Sequence, residues 1–230
     1  MPTWIALDAD DTLWHNEGHY SGTQARLASL LAPYVAGEQL AASLYATEVR
    51  NLQHFGYGVK GFTLSMIETA IELTAGTIAA ADIQAIIELG REMLRQPVTP
   101  IDGVPEVLAE ISASYSLLLV TKGDLFDQET KLARSGLAER FAAVAVVSEK
   151  DEATYRQVFA RHGIAPADVV MVGNSVRSDI LPVIAIGGRA VHIPYHTTWA
   201  HELVADQADA AFATLSDIRE LPRYLSESKP

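Results

Sequence analysis

Short apolar runs rich in Val, Leu and Ile recur along the chain and alternate with longer segments of helical periodicity. Thr3–Leu7, Ser116–Thr121, Ala143–Val147, Asp168–Val172 and Ala190–Ile193 read as strands, none with clean apolar–polar alternation. A strand with one wet face alternates, so these runs predict strands covered on both faces. Helical patterns fall between them over Val104–Ala113, Phe126–Ser135, Asp151–His162 and Val176–Ile186. Gly136 and Gly163 stand where two of these helices need a C-terminal cap, and Pro166 follows closely. Strand and helix in alternation predict a doubly wound α/β fold with a parallel sheet and right-handed crossovers. In such sheets ligands gather beyond the carboxyl ends of the strands.

Residues 20–97 break this rhythm with four helical patterns, near 22–34, 38–54, 62–74 and 81–95, and no strand signal. Gly37, the run Gly56-Tyr57-Gly58-Val59-Lys60-Gly61 and Gly76 punctuate them, and Pro97, Pro100 and Gly103 mark the return. The expected division is a Rossmann-like domain over 1–19 and 98–230, with an all-helical domain over 20–97 inserted after the first strand. From Thr197 onward there are two more short helical patterns and a polar end.

Composition narrows the class. With 230 residues and 49% hydrophobic content the chain can bury a full core. It has no cysteine, hence no disulfide, thiol nucleophile or cysteine metal site. No basic segment followed by an apolar run opens it and no stretch approaches membrane-spanning length, so the expectation is a cytoplasmic protein with no membrane partner. A formal charge of −12 argues against nucleic acid, which demands a basic footprint.

Candidate chemistry concentrates at the end of the first strand, in Trp4-Ile5-Ala6-Leu7-Asp8-Ala9-Asp10-Asp11-Thr12-Leu13. Acids packed against a core strand need a metal, hydrogen bonds or a chemical task. Asp8 and Asp10, two residues apart, can supply a nucleophile and a proton-transfer group at one point; the alternative is a solvated acidic loop. The run Asp8-Ala9-Asp10-Asp11-Thr12 resembles the first motif of the haloacid dehalogenase-like (HAD) superfamily, with Asp11 where many members have glycine.

Three further segments continue the resemblance in order. Leu117-Leu118-Leu119-Val120-Thr121-Lys122-Gly123-Asp124 is similar to the second motif, in which the threonine hydroxyl holds a phosphoryl oxygen; Lys122 is a further phosphate candidate. Ser148-Glu149-Lys150-Asp151 places a lysine where the family bridges nucleophile and phosphate. Val170-Met171-Val172-Gly173-Asn174-Ser175-Val176-Arg177-Ser178-Asp179 matches the last motif, with Asn174 in place of its first acid and Asp179 as its second. Converging carboxylates repel one another without a cation, and Mg²⁺ accepts such oxygen ligands.

The resemblance implies a HAD core with a type-1 helical cap over residues 20–97. It implies an Mg²⁺-dependent phosphatase acting on a small phosphorylated metabolite. Asp8 would form an aspartyl-phosphate, and Asp10 would protonate the leaving alcohol and then deprotonate water. Thr121, Lys122 and Lys150 would bind the phosphoryl group, and Asp8, Asp10, Asp179 and Asn174 would hold the metal. An acidic chain with this task must build a local positive pocket. Family members that dehalogenate lack the second aspartate, which is Asp10 here; phosphonatases carry a small residue there. A phosphomutase shares all four motifs and is the alternative, as is a non-catalytic binding protein on this fold, with Asn174 its only support.

Three weaker signals remain. Lys60, in the glycine-rich loop between two predicted helices, is a candidate substrate-selecting residue. His192, His196 and His201 flank Tyr195 and Trp199 at a spacing compatible with zinc, although Pro194 interrupts any helix through them. Trp14 and His15 follow the first motif and are placed either at the site entrance or against the helical domain.

Overall fold

The computed structural model describes residues 3–197, 199–202 and 212–227. The chain runs from β1 (Trp4–Leu7) through four helices, α1 (Glu17–Leu31), α2 (Gly37–Phe55), α3 (Val59–Leu73) and α4 (Ala80–Arg95). It continues through α5 (Val104–Ile111), β2 (Ser116–Lys122), α6 (Leu125–Ser135), β3 (Ala143–Val147), α7 (Glu152–Arg161) and β4 (Val169–Gly173). After β4 come α8 (Leu181–Ala185), β5 (Arg189–His192), β6 (Ala213–Thr214) and α9 (Leu221–Glu227). Two compact units result: Met1–Glu17 with Val98–Pro230, and Gly18–Pro97.

In the first unit the six strands form one parallel sheet in the order β3-β2-β1-β4-β5-β6. The absence of alternation in the strands has a direct cause. Ile5, Leu7, Leu117, Leu119, Val170 and Val172 face a core shared with α5 and α9. Their neighbours Ala6, Leu118, Val120, Val169 and Met171 face a second core with Tyr155, Val158, Phe159 and Val183. Successive strand side chains point to opposite faces, so a sheet buried twice needs apolar residues at every position. Two of the helix starts carry side-chain caps: Asp124 accepts from Asp127 N at 3.0 Å to open α6, and Asp151 accepts from Thr154 N at 2.7 Å to open α7.

The pattern over Val176–Ile186 predicts one helix, and the structure corrects it. Val176–Ile180 forms a wider π-type turn before α8, with Leu181 N donating to Val176 O. Pro182 has no N–H to offer Ser178 O, and the Tyr155 hydroxyl donates to that carbonyl instead, at 3.1 Å. The two-residue strand β6 carries no sequence signal of its own.

The second unit buries Leu27, Leu31, Leu40, Leu44, Phe62, Met66, Ala70, Ile86 and Leu89 between its helices. Its interior is partly polar: Asn51 on α2 donates to Ser65 Oγ at 3.2 Å and to Glu68 Oε2 at 2.6 Å on α3. No helix among the described residues is long and apolar enough to cross a membrane.

Candidate active site

The strand order reverses between β1 and β4: connections run from β1 outward to β3 on one side and from β4 outward to β6 on the other. In sheets of this topology the ligand site lies at the carboxyl ends of such a central pair. Asp8 follows β1 directly, and its N–H donates to Val172 O on β4 at 2.9 Å. Its side chain is buried. Oδ2 accepts from Thr12 Oγ1 at 3.0 Å, and Oδ1 accepts from the ammonium of Lys150. Lys150 Nζ also donates to Asp179 Oδ1 at 2.7 Å, so one ammonium, 2% exposed, joins the two acids. Burial pushes the Asp8 carboxyl up to about 7; Lys150 opposes this, while Asp179 and Asp10 add to it. Burial works against the charge on Lys150 as well, but Asp179 and Asp8 outweigh it and hold its ammonium well above the ordinary lysine value.

The β4 loop completes this cluster. Asp179 Oδ2 accepts from Ser175 N at 3.0 Å, a bond within the wide turn. A Cβ on Gly173 would stand 2.3 Å from Asp179 Oδ2, so only glycine admits the carboxylate there. Thr12 Oγ1 lies 3.3 Å from Asn174 Oδ1 and accepts from Asn174 N at 3.1 Å. A hydroxyl has one proton, and the shorter approach to Asp8 directs it there. His192, at the end of β5, lies with Nε2 3.1 Å from Asn174 O, which fixes that nitrogen as the donor.

Asp10 has a separate set of partners. Trp14 Nε1 donates to Oδ1 at 2.7 Å, Gln128 Nε2 donates to Oδ2 at 2.9 Å, and Lys131 Nζ lies 3.0 Å from both oxygens. Burial alone would raise this carboxyl, but Lys131 and the neutral donors hold it below the usual range. Trp14 is thus a core residue that grips Asp10 rather than an entrance residue. Asp11 adopts φ 62°, the left-handed region that favours glycine and that aspartate tolerates. Its Oδ1 accepts from Asn16 N at 2.8 Å and Glu17 N at 3.1 Å, opening α1.

Lys122 and Thr121 stand at the end of β2. Lys122 Nζ donates to Glu202 Oε1 at 2.6 Å and to Ser178 Oγ at 2.9 Å. Glu202 also accepts from Ser175 Oγ at 2.5 Å and Ser178 Oγ at 2.6 Å. Burial disfavours its charge, yet Lys122 and the hydroxyls hold Glu202 down at about 2. Thr121 is fully buried, with a long bond from its hydroxyl to Lys122 O at 3.4 Å. Sequence reading gave no role to Lys131, Gln128, Ser175, Ser178 or Glu202.

The family model of haloacid dehalogenase-like hydrolases matches residues 2–187. This chain is a haloacid dehalogenase-like hydrolase. The crystal structure of a HAD-like family hydrolase from Xanthomonas campestris is 44% identical, covers 98% of this chain and 91% of its own, and matches with a TM-score of 0.88. Rat (Rattus norvegicus) N-acylneuraminate-9-phosphatase is 27% identical over 170 residues, 69% of this chain; the match spans 65% of the relative's length. A 2-haloacid dehalogenase from Pseudomonas syringae, 21% identical with both chains fully covered, shares the fold at a TM-score of 0.68.

In this HAD-like hydrolase the expected metal ligands separate into two groups. Asp8 and Asp179 meet on Lys150, and Asn174 Oδ1 reaches the same Thr12 hydroxyl as Asp8, so three side chains converge. The Asp10 carboxylate turns to Lys131, Gln128 and Trp14 instead. Among the described residues no three Asp, Glu, His or Cys side chains gather to hold a metal ion. Two carboxylates and an amide oxygen are nonetheless hard donors that suit Mg²⁺, which keeps several waters and takes few protein ligands.

The remaining candidates lie elsewhere. Lys60 is in the first turn of α3 rather than in the preceding loop. Gly61 is already helical there, and a Cβ on it would meet Gly56 O at 2.8 Å, so glycine lets the helix start close to the turn. The three histidines have unrelated partners: Asn174 for His192, the Tyr195 ring for His196 and the Trp199 ring for His201. His15 Nδ1 lies 2.7 Å from the Tyr195 hydroxyl.

Proposed function

We propose that this HAD-like hydrolase is a phosphatase that hydrolyses a small phosphate monoester through a phosphorylated Asp8, with Mg²⁺ as cofactor. The observation that carries the reading is the pair of carboxylates two residues apart at the end of β1, each paired with a different lysine, Asp8 with the buried Lys150 and Asp10 with the partly buried Lys131. A nucleophile and a separate proton carrier are what two-step phosphoryl transfer to water requires. The resemblance gives dehalogenating members no second aspartate, and the rat relative bears the name of a phosphatase.

In the first half of the reaction an Asp8 oxygen bonds to phosphorus as the ester bond breaks. The Lys150 ammonium offsets repulsion between the anionic nucleophile and the anionic substrate. Asp10 rests as a carboxylate; the added negative charge of a bound phosphate raises its proton affinity, so that it takes up a proton from solvent and then delivers it to the leaving oxygen. In the second half it takes a proton from water. Thr121, and Lys122 if released from Glu202, contribute donors to the phosphoryl oxygens. Asp8, Asp179 and Asn174 would hold Mg²⁺, which when bound supplies positive charge beside the transferred group.

A panel of phosphate monoesters assayed with Mg²⁺ and with EDTA tests the reading. Inorganic phosphate is expected in Mg²⁺ and almost none in EDTA. Undiminished turnover in EDTA would overturn the cofactor, and halide release from a 2-haloacid without phosphatase activity would overturn the reaction class.

A further inference from the structure

We infer that Lys131 and Gln128, both on α6, are positioning residues that fix the Asp10 carboxylate for the step in which water hydrolyses phosphorylated Asp8. This rests on the phosphatase reading. Lys131 Nζ, 3.0 Å from each Asp10 oxygen, lies across the carboxylate and fixes its rotation. Asn16 Oδ1 accepts from the same ammonium at 2.9 Å, and Asp127 Oδ2 lies 3.8 Å away, so Lys131 is held in turn.

Gln128 contributes a second, independent constraint. Its Nε2 donates to Asp10 Oδ2 and to Lys122 O, each at 2.9 Å. Both neighbours are acceptors, so the amide cannot be reversed. Its Oε1 is therefore the end left over, and it is buried without a partner among the described residues. Buried acceptors normally have donors, and an unmatched one beside a polar site is open to pairing with a donor that enters during the reaction. Gly123 adopts φ +141°, and a Cβ there would stand 2.8 Å from Gln128 Nε2, so this glycine makes room for the amide.

Water supplies the missing donor. It has two O–H groups, and Gln128 offers an acceptor one carbon away from the nitrogen that grips Asp10. The water oxygen bonds to phosphorus as the bond from phosphorus to Asp8 breaks, returning its electron pair to Asp8. One proton passes to Asp10, and the remaining O–H is directed to Gln128 Oε1 until phosphate leaves. As phosphate leaves, Asp10 gives that proton up to solvent and returns to its resting carboxylate.

The test is rapid-mixing hydrolysis of p-nitrophenyl phosphate in Mg²⁺ by the full chain, comparing wild type with Lys131→Met, Gln128→Met and Lys131→Arg. Nitrophenol leaves without protonation, so loss of Asp10 positioning spares the first step and slows the second. In Lys131→Met and Gln128→Met the ratio of burst rate to steady rate is expected to rise about 100-fold, and Lys131→Arg to restore most of it. Misfolding alone would lower burst and steady phases together and leave that ratio unchanged. A ratio within about threefold of wild type in both Met variants would overturn the proposal while leaving the phosphatase reading intact. A wild type that releases no nitrophenol would overturn the phosphatase reading and this proposal with it.

Discussion

Asp8 and Asp10 lie two residues apart, yet their surroundings push their protons in opposite directions. Asp8 shares a single buried ammonium with Asp179, two acids to one lysine, and its carboxyl rises to about 7. Asp10 has Lys131 across both oxygens together with Trp14 and Gln128, and its carboxyl falls below the ordinary value. Burial opposes charge at both positions; the ratio of donors to acids decides the outcome. One arm is short of positive charge and suited to accept a cation. The other is already balanced.

The largest effect should come from the nucleophile. Asp8→Asn is expected to reduce turnover of an activated aryl phosphate by about four orders of magnitude or more, with circular dichroism unchanged. Substantial residual activity would remove Asp8 from the chemistry. Asp10→Asn should slow single-turnover alcohol release from an alkyl phosphate by about 10²–10⁴-fold and nitrophenol release far less, because only the alkoxide needs a proton. Equal losses on the two esters would argue against the proton-carrier role.

The two lysines should differ in their structural cost. Lys150→Met leaves two buried carboxylates facing each other and should destabilise the fold by about 3–5 kcal/mol in urea titration. Lys131→Met leaves Asp10 with two donors and partial access to water, and should cost less, about 1–3 kcal/mol. Equal costs would mean that the charge ratio is not what separates the arms.

The pH dependence of stability sharpens the contrast. Asp8 binds its proton more tightly folded than unfolded, so its contribution is fully present below pH 3.8 and lost as pH rises through about 7. Asp10 has the reverse sign: its contribution is present above 3.8 and lost as pH falls through its lowered value. Asp8→Asn should flatten the decline between pH 4 and 7, whereas Asp10→Asn should reduce the loss below pH 4. Urea midpoints across this range report both, and identical profiles for the two variants would contradict the opposed shifts.

Much of this fold is legible in the chain because a sheet buried on both faces requires continuous apolar strands, and those runs coincide with β1 to β5 within a residue or two. Two features are not. The Ala213–Thr214 strand is too short for any periodicity, and the wide turn at Val176–Ile180 depends on Pro182 and on Tyr155, a residue far away in sequence. At the site, Asp8, Lys150 and Asp179 could be read from motif order, and they do converge. Lys131 could not, since a lysine on a helix is ordinarily solvated. Only the structure supplies the signal. Leu125 and Phe126 on α6 are exposed while Asp127 and Gln128 are buried, an inverted pattern that marks a helix facing a polar site.

The smallest predicted effect concerns the amide at the edge of the Asp8 arm. Asn174→Asp adds a third carboxylate to a cluster that already has two acids on one lysine. Its oxygen stands beside the Thr12 hydroxyl that also serves Asp8, so the new charge acts locally. Without metal the variant should melt below wild type, since like charges converge with no added cation. With Mg²⁺ the order should narrow or reverse, because a hard anionic oxygen binds the ion better than an amide does. The gain in affinity is expected to be several-fold, on the order of 1 kcal/mol, as water screens part of the added charge. Thermal shift measured against Mg²⁺ concentration reads this without any assay of activity. An opposite shift in Asp179→Asn, toward weaker binding, would tie both residues to one ion. If instead both variants follow the wild-type Mg²⁺ curve, the cation deficit of the Asp8 arm is met by Lys150 alone, and the cofactor lies elsewhere or is not used.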